Sequence, residues 1–215
     1  DRLSTDVALE LRDAQVSGVA VNGAGQADLL ISSPPQGTTT VTGPVAFEGK
    51  LAGSNANVAA TLASVDGATV VEDITAALLG MTVTGTASLQ AGGAVTADLD
   101  GAIKSLAPLG RVAGTPLGGA GTFTLNSTPS DRGNQMSATV SLRQVEAGGV
   151  DAQLLRLRAA LAPDGGVSAK VTLQRLEAGN LSAASGVVDV SGRLERLFVA
   201  ANLEGISTFD DQKGR

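Results

Sequence analysis

Residues 81–90, MTVTGTASLQ, alternate apolar and polar without an exception. Met81, Val83, Gly85, Ala87 and Leu89 fall on one side; Thr82, Thr84, Thr86, Ser88 and Gln90 fall on the other. A helix would spread the apolar set around its whole circumference, so the run predicts a strand with one dry face. The same grammar recurs along the chain. Val7, Leu9 and Leu11 oppose Ala8, Glu10 and Arg12; Val45, Phe47, Gly49 and Leu51 oppose Ala46, Glu48 and Lys50. Val58, Ala60 and Leu62 follow, then Val95, Ala97 and Leu99. Met136, Ala138, Val140 and Leu142 oppose Ser137, Thr139, Ser141 and Arg143. Leu155, Leu157 and Leu161 oppose Arg156 and Arg158, and Val167, Ala169, Val171 and Leu173 oppose Ser168, Lys170, Thr172 and Gln174. Leu197, Val199, Ala201 and Leu203 close the series.

Turn signals separate these runs. Asp66-Gly67, Ala91-Gly92-Gly93, Gly148-Gly149 and Pro163-Asp164-Gly165-Gly166 read as tight connections. SSPPQG at residues 32–37 is the expected long loop of the first half. Asn22-Gly23 reads as an interruption within residues 14–31. Strands joined this way pair antiparallel with their chain neighbours. About a dozen in one sheet would run roughly 55–60 Å, and an open sheet that wide must curl, split or pack on a second layer.

One stretch breaks the period. Residues 101–126, GAIKSLAPLGRVAGTPLGGAGTFTLN, carry the one plausible helix start, body and stop. Ser105 is the expected N-cap. Pro108 is tolerable in a first turn, whose amides are unpaired anyway. Leu106, Leu109, Val112 and Ala113 form an apolar side, Gly114 can end the helix in a left-handed conformation, and Thr115-Pro116 stops it. The predicted organisation is a first sheet segment over residues 1–100, a short helix and crossover over 101–116, a second sheet segment over 117–208 and a polar tail over 209–215, expected to fray. The fold class is all-β, mainly antiparallel, with one short helix near 105–113. Two dry faces can interdigitate as a β-sandwich, or one sheet can curl into a trough; the residues alone favour the sandwich.

Composition narrows the chemistry. The 215 residues contain no Cys and no His, which removes disulfides, thiolate chemistry, the usual zinc sites and histidine acid–base schemes. The net charge of −6 and scattered cations argue against nucleic acid, which needs a basic face. Aromatics are 2% of the chain, against the girdles of a membrane barrel or a stacking platform. No apolar run approaches the ~20 residues of a transmembrane helix. The chain starts and ends in mid-pattern and reads as a segment of a longer protein. An enzyme is the weakest class, and no cofactor or metal is expected. Glu72-Asp73 and Asp210-Asp211 are adjacent pairs whose members point to opposite faces of a strand. Gly23-Ala24-Gly25 and residues 118–121 complete no nucleotide fingerprint. The sequons at Asn126 and Asn180 match by chance.

The phrase SLAPLGRVAGTPLGGAGTFTL at residues 105–125 resembles the TamB-type translocation and assembly module family, which belongs with the AsmA-like proteins. Leu106, Pro108, Leu109, Gly114, Pro116, Leu117 and Gly119 match its recurring segment ahead of a new stretch of sheet, and EAGGVDAQLLRLRAAL at 146–161 is similar to its wording. The resemblance implies a β-taco, a long curved sheet with an apolar groove, in a periplasmic protein anchored in the inner membrane of a Gram-negative bacterium. It implies lipid transport, with phospholipid acyl chains as cargo, between inner and outer membrane. It also implies outer-membrane biogenesis, through an outer-membrane barrel partner bound by regions outside this segment. On that reading Val83, Leu89, Phe123, Leu125, Val140, Leu142, Leu157, Val171, Leu173 and Val199 are candidate lipid-groove residues, against a plain role as core. Leu106, Leu109 and Val112 would cover the groove. The alternative is a structural or adhesive β-solenoid segment of a surface protein, which should show a short fixed period.

Overall fold

The computed structural model describes residues 2–16, 19–35, 37–193 and 195–208. The tail from 209 and the Asp210-Asp211 pair lie outside the described residues. Strands β1 (Arg2–Val16), β2 (Val19–Ser32), β3 (Thr40–Leu51), β4 (Ser54–Val65), β5 (Ala68–Leu78), β6 (Met81–Leu89) and β7 (Val95–Ile103) lead to helix α1 (Ala107–Ala113). Then follow β8 (Leu117–Ser130), β9 (Gly133–Ala147), β10 (Val150–Leu161), β11 (Gly166–Ala178), β12 (Leu181–Arg193), β13 (Arg196–Glu204) and the two-residue β14 (Ser207–Thr208).

Each strand from β1 to β13 pairs with the next in chain order, all antiparallel, in one long curved open sheet; β14 pairs with β12. No second layer lies on it among the described residues, so the chain is neither a sandwich nor a solenoid of parallel coils. Thirteen strands span about 58 Å across the ladder. Short connections enforce this meander. Asp66-Gly67, with φ of 50° and 76°, makes the turn whose twist matches the flanking strands. Asn22-Gly23 does not interrupt β2. The strand runs through it, because Gly23 sits opposite Gly49 and leaves room for the Phe47 ring, which a Cβ at either glycine would press against.

The dry face survives register shifts at Leu11/Ala14, Ala59/Thr61, Val71/Ile74 and Gly118/Ala120, and two further irregularities. In β9–β12 the ladder skips Gln144, Gln153, Arg175 and Ala184, which are cross-strand neighbours in the register. Gln144 and Arg175 have φ of 50° and 49°. This crease shifts the alternation by one residue in every strand it crosses, so Val145, Ala152, Leu176 and Ala183 continue the apolar side past it. The skips are matched, so the cross-strand register from β9 to β12 is unchanged; the register itself shifts between β8 and β9, at Gly118/Ala120, and a bulge there bends a sheet and sharpens its twist. The second is the β7–β8 seam, which has the shortest register of the long strands, Ala97↔Ser127 to Ile103↔Gly121. There Ser127 Oγ donates to Val95 O at 2.9 Å, and Val95 N–H donates to Asn134 Oδ1 at 3.2 Å. These side chains replace a ladder pair that Pro129, lacking an N–H, cannot complete.

The core is small. Ile103, Leu106 and Leu142 are buried, with Met81, Leu109, Leu117, Phe123, Val140, Val145 and Leu155 packed against them. α1 starts one residue later than expected. Its N-cap is Leu106, and Ser105 Oγ accepts from Ala107 N–H at 3.2 Å from just outside the helix. Gly114 ends it in the left-handed conformation, φ 69°, as expected.

The glycine–ring contacts give a first test. A Cβ at Gly101 would overlap the Phe123 ring, which lies across the glycine opposite it. Gly101→Ala is expected to destabilise the protein by about 1–3 kcal/mol in urea unfolding. Adding Phe123→Leu should recover part of that loss; no loss in the single variant would contradict the ring's placement.

Candidate functional groove

The cross-strand register converts the alternating pattern into rows running along the sheet, perpendicular to the strands. One row takes a single residue from each of thirteen strands without a gap: Leu9, Gly25, Phe47, Val58, Ala76, Val83, Gly101, Phe123, Val140, Leu157, Val171, Val188 and Ala201. Every member is apolar or glycine. All are half-buried except Leu9 and Ala201, on the two edge strands. The row one residue along each strand, through Ala46, Thr84, Asp100, Thr139, Arg158 and Lys170, is exposed. The apolar rows and the exposed rows therefore lie on opposite faces of the sheet, and no second sheet covers the apolar face among the described residues.

Val83, Phe123, Val140, Leu157 and Val171 lie on that central row. Leu142 and Leu173 lie on the next row toward α1, which is also unbroken and includes Met81, Ile103 and Leu155. Leu125 and Val199 lie on the neighbouring row on the other side, with Gly85, Leu99 and Ala138. Leu89 lies farther out, at the end of β6. All ten residues therefore share one face. They differ in cover: Leu142 is 8% exposed, while Leu89 is 48% and Val199 67% exposed. Leu89 sits beside the β6–β7 turn, and Val199 belongs to β13, beyond which no strand pairs among the described residues.

The relief of this face is low. Phe47 and Phe123 do not stand into the groove. Each lies across a glycine, so the groove keeps its width where a large side chain would otherwise narrow it. Among the described residues no large side chain is fully buried, as expected for a wall whose second side is open. The outer face carries the charges, including the Lys170–Asp189 pair at 3.7 Å. Among the described residues no group of three or more Asp and Glu is placed to hold a metal ion.

α1 buries apolar surface on the sheet through its first turn, and its second turn reaches the sheet through the Arg111 guanidinium alone among the described residues, 3.1 Å from Ser54 Oγ. Leu106 is buried, Leu109 is half-buried and Gly110 is buried under Thr115 and Leu117. Residues 111–116 are all exposed, so Val112, at 41% exposure, does not cover the groove as its spacing predicted. The helix is two turns long and its second turn lifts off the sheet. Two functional features escaped sequence reasoning. Phe47 belongs to the central row, and Ser127 with Asn134 closes the β7–β8 seam; both depend on register, which pairs residues far apart in the chain.

Comparisons with protein-family models, curated proteins and solved structures return no match. The groove is therefore read from its own residues.

Ser127 is the polar side chain buried on this face, and its hydroxyl is committed to Val95 O. Ser127→Ala leaves that carbonyl without its donor, a cost of about 1–3 kcal/mol. Hydrogen exchange should then speed up at the amides of 97–103, leaving those of 167–176 unchanged. Unaltered exchange at 97–103 would show that the hydroxyl does not hold the seam.

Proposed function

We propose that this chain is a conduit, not an enzyme: its trough shields the acyl chains of phospholipid on their way between two membranes. The observation that carries the reading is the unbroken apolar row across thirteen strands with no second sheet layered over it among the described residues. A 16-carbon chain exposed to water is unfavourable by on the order of 12 kcal/mol, at about 0.8 kcal/mol per methylene. A wall of similar dryness along its whole length lowers that barrier without a deep pocket to trap the lipid. The head group stays in water at the open side.

The likeness of residues 105–125 and 146–161 to TamB-type proteins supplies the setting. In that setting the chain is an internal segment of a periplasm-spanning protein, anchored in the inner membrane and reaching an outer-membrane barrel partner through other regions. It would support outer-membrane protein assembly there as well. The adhesive reading finds less support, because an antiparallel meander with one dry side offers no stacked coils.

Photocrosslinking tests the reading. A photoreactive residue at Val83 or Val171, half-buried on the central row, should yield phospholipid adducts in cells or in vesicle mixtures. The same residue at Thr84 or Lys170, on the outer face, should yield at least several-fold fewer. Absence of adducts at both central positions would sink the conduit.

A further inference from the structure

The trough is not equally available along its length. Between β6 and β10 its driest part is already occupied by the protein itself. Leu106 of the α1 region forms one buried cluster with Ile103 and Leu142, and Leu109 packs against that cluster together with Met81, Phe123, Val140 and Leu155; the sheet residues among these belong to the central row and the row beside it. Gly85, Leu99, Leu125 and Ala138, on the row across the central one, take no part in that cluster.

The α1 segment is tied down at separate points across several strands. Lys104 N–H donates to Gly80 O at 2.8 Å, in the β5–β6 turn, and Leu106 N–H donates to Gly119 O at 3.0 Å, in β8. Arg111 Nη2 donates to Ser54 Oγ at 3.1 Å, at the start of β4. Behind the helix lies an open cleft of about 820 Å³ between its second turn, the start of β8 and the β9–β10 turn. The segment thus clips β4, the β5–β6 turn and β8 together on one margin of the sheet, and none of the described residues fills the cleft on its far side.

We propose that α1 is a strap that takes the margin rows out of the lipid path in the middle of the trough and confines acyl chains to the track through Gly85, Leu99, Leu125 and Ala138. This rests on the conduit reading. In β11 and β12, where no helix lies on the face, both margins stay open to lipid. The strap therefore narrows the trough at its centre, to the width of the free track.

The native chain can report this directly. A phosphatidylcholine carrying a diazirine in one acyl chain, supplied in vesicles, labels whichever side chains it touches. Labelling should favour Leu99 and Leu125 over Ile103 and Leu142 by at least about fivefold, with Leu173 and Ala169 in β11 labelled alike. Leu106→Ala with Leu109→Ala, checked for retained sheet content, should even out the first pair. The two methionines give a second readout without mutation. Lipid loading should slow peroxide oxidation of Met136, on the free side of the groove, and leave Met81, under the strap, unchanged. Equal labelling of Leu125 and Leu142 in the unaltered protein, or an unchanged pattern after the double substitution, would overturn the strap while leaving the conduit intact. No label on any row, Leu173 and Ala169 included, would overturn both.

Discussion

The structure depends on one constraint: the register of an antiparallel meander must keep the apolar rows of successive strands on one face. A slip of one residue in any strand would turn its whole apolar set outward. Thirteen strands hold this register, and the central row passes from Leu9 to Ala201 without a break. Where the backbone departs from regular pairing, at the crease through Gln144, Gln153, Arg175 and Ala184, adjacent strands shift together, so the dry face bends and stays dry. Short two-residue turns leave little freedom to pair otherwise.

An ordinary domain would bury that face under a second layer. Here the sheet curls, and its apolar side chains remain half-exposed. The small residue types follow from this. Val, Leu, Ala and Gly line a surface with little relief, and the rings of Phe47 and Phe123 lie across glycines instead of projecting from the wall. In the proposed conduit, low relief suits a cargo that moves along the groove, and half-exposure gives it something to cover. The α1 segment is the exception, since it fills part of the groove with the chain's own leucines. Ser127 and Asn134 close the neighbouring seam where Pro129 interrupts the ladder.

Much of this was legible in the alternation itself. The runs at 81–90, 136–143 and 167–174 each identify a strand and its dry side, and all ten candidate groove residues fall on the same face. The helix stop at Gly114 follows from local chemistry. What depends on pairing was not legible. Asn22-Gly23 has the look of a turn until Phe47 is seen to need the space at Gly23 and Gly49. Val145 and Leu176 seem out of phase until the crease is known. Val112 has helical spacing from Leu109, but a two-turn helix that lifts off the sheet leaves it in solvent. The choice between sandwich and trough was also beyond the residues, because both ask for the same pattern in each strand.

Calorimetric titration of the chain with a monomeric lysophosphatidylcholine, below its micelle concentration and at several temperatures, tests the open groove most directly. The account predicts saturable binding with a negative heat-capacity change, the mark of apolar surface leaving water. Binding that never saturates, or a heat-capacity change of zero or above, would contradict it.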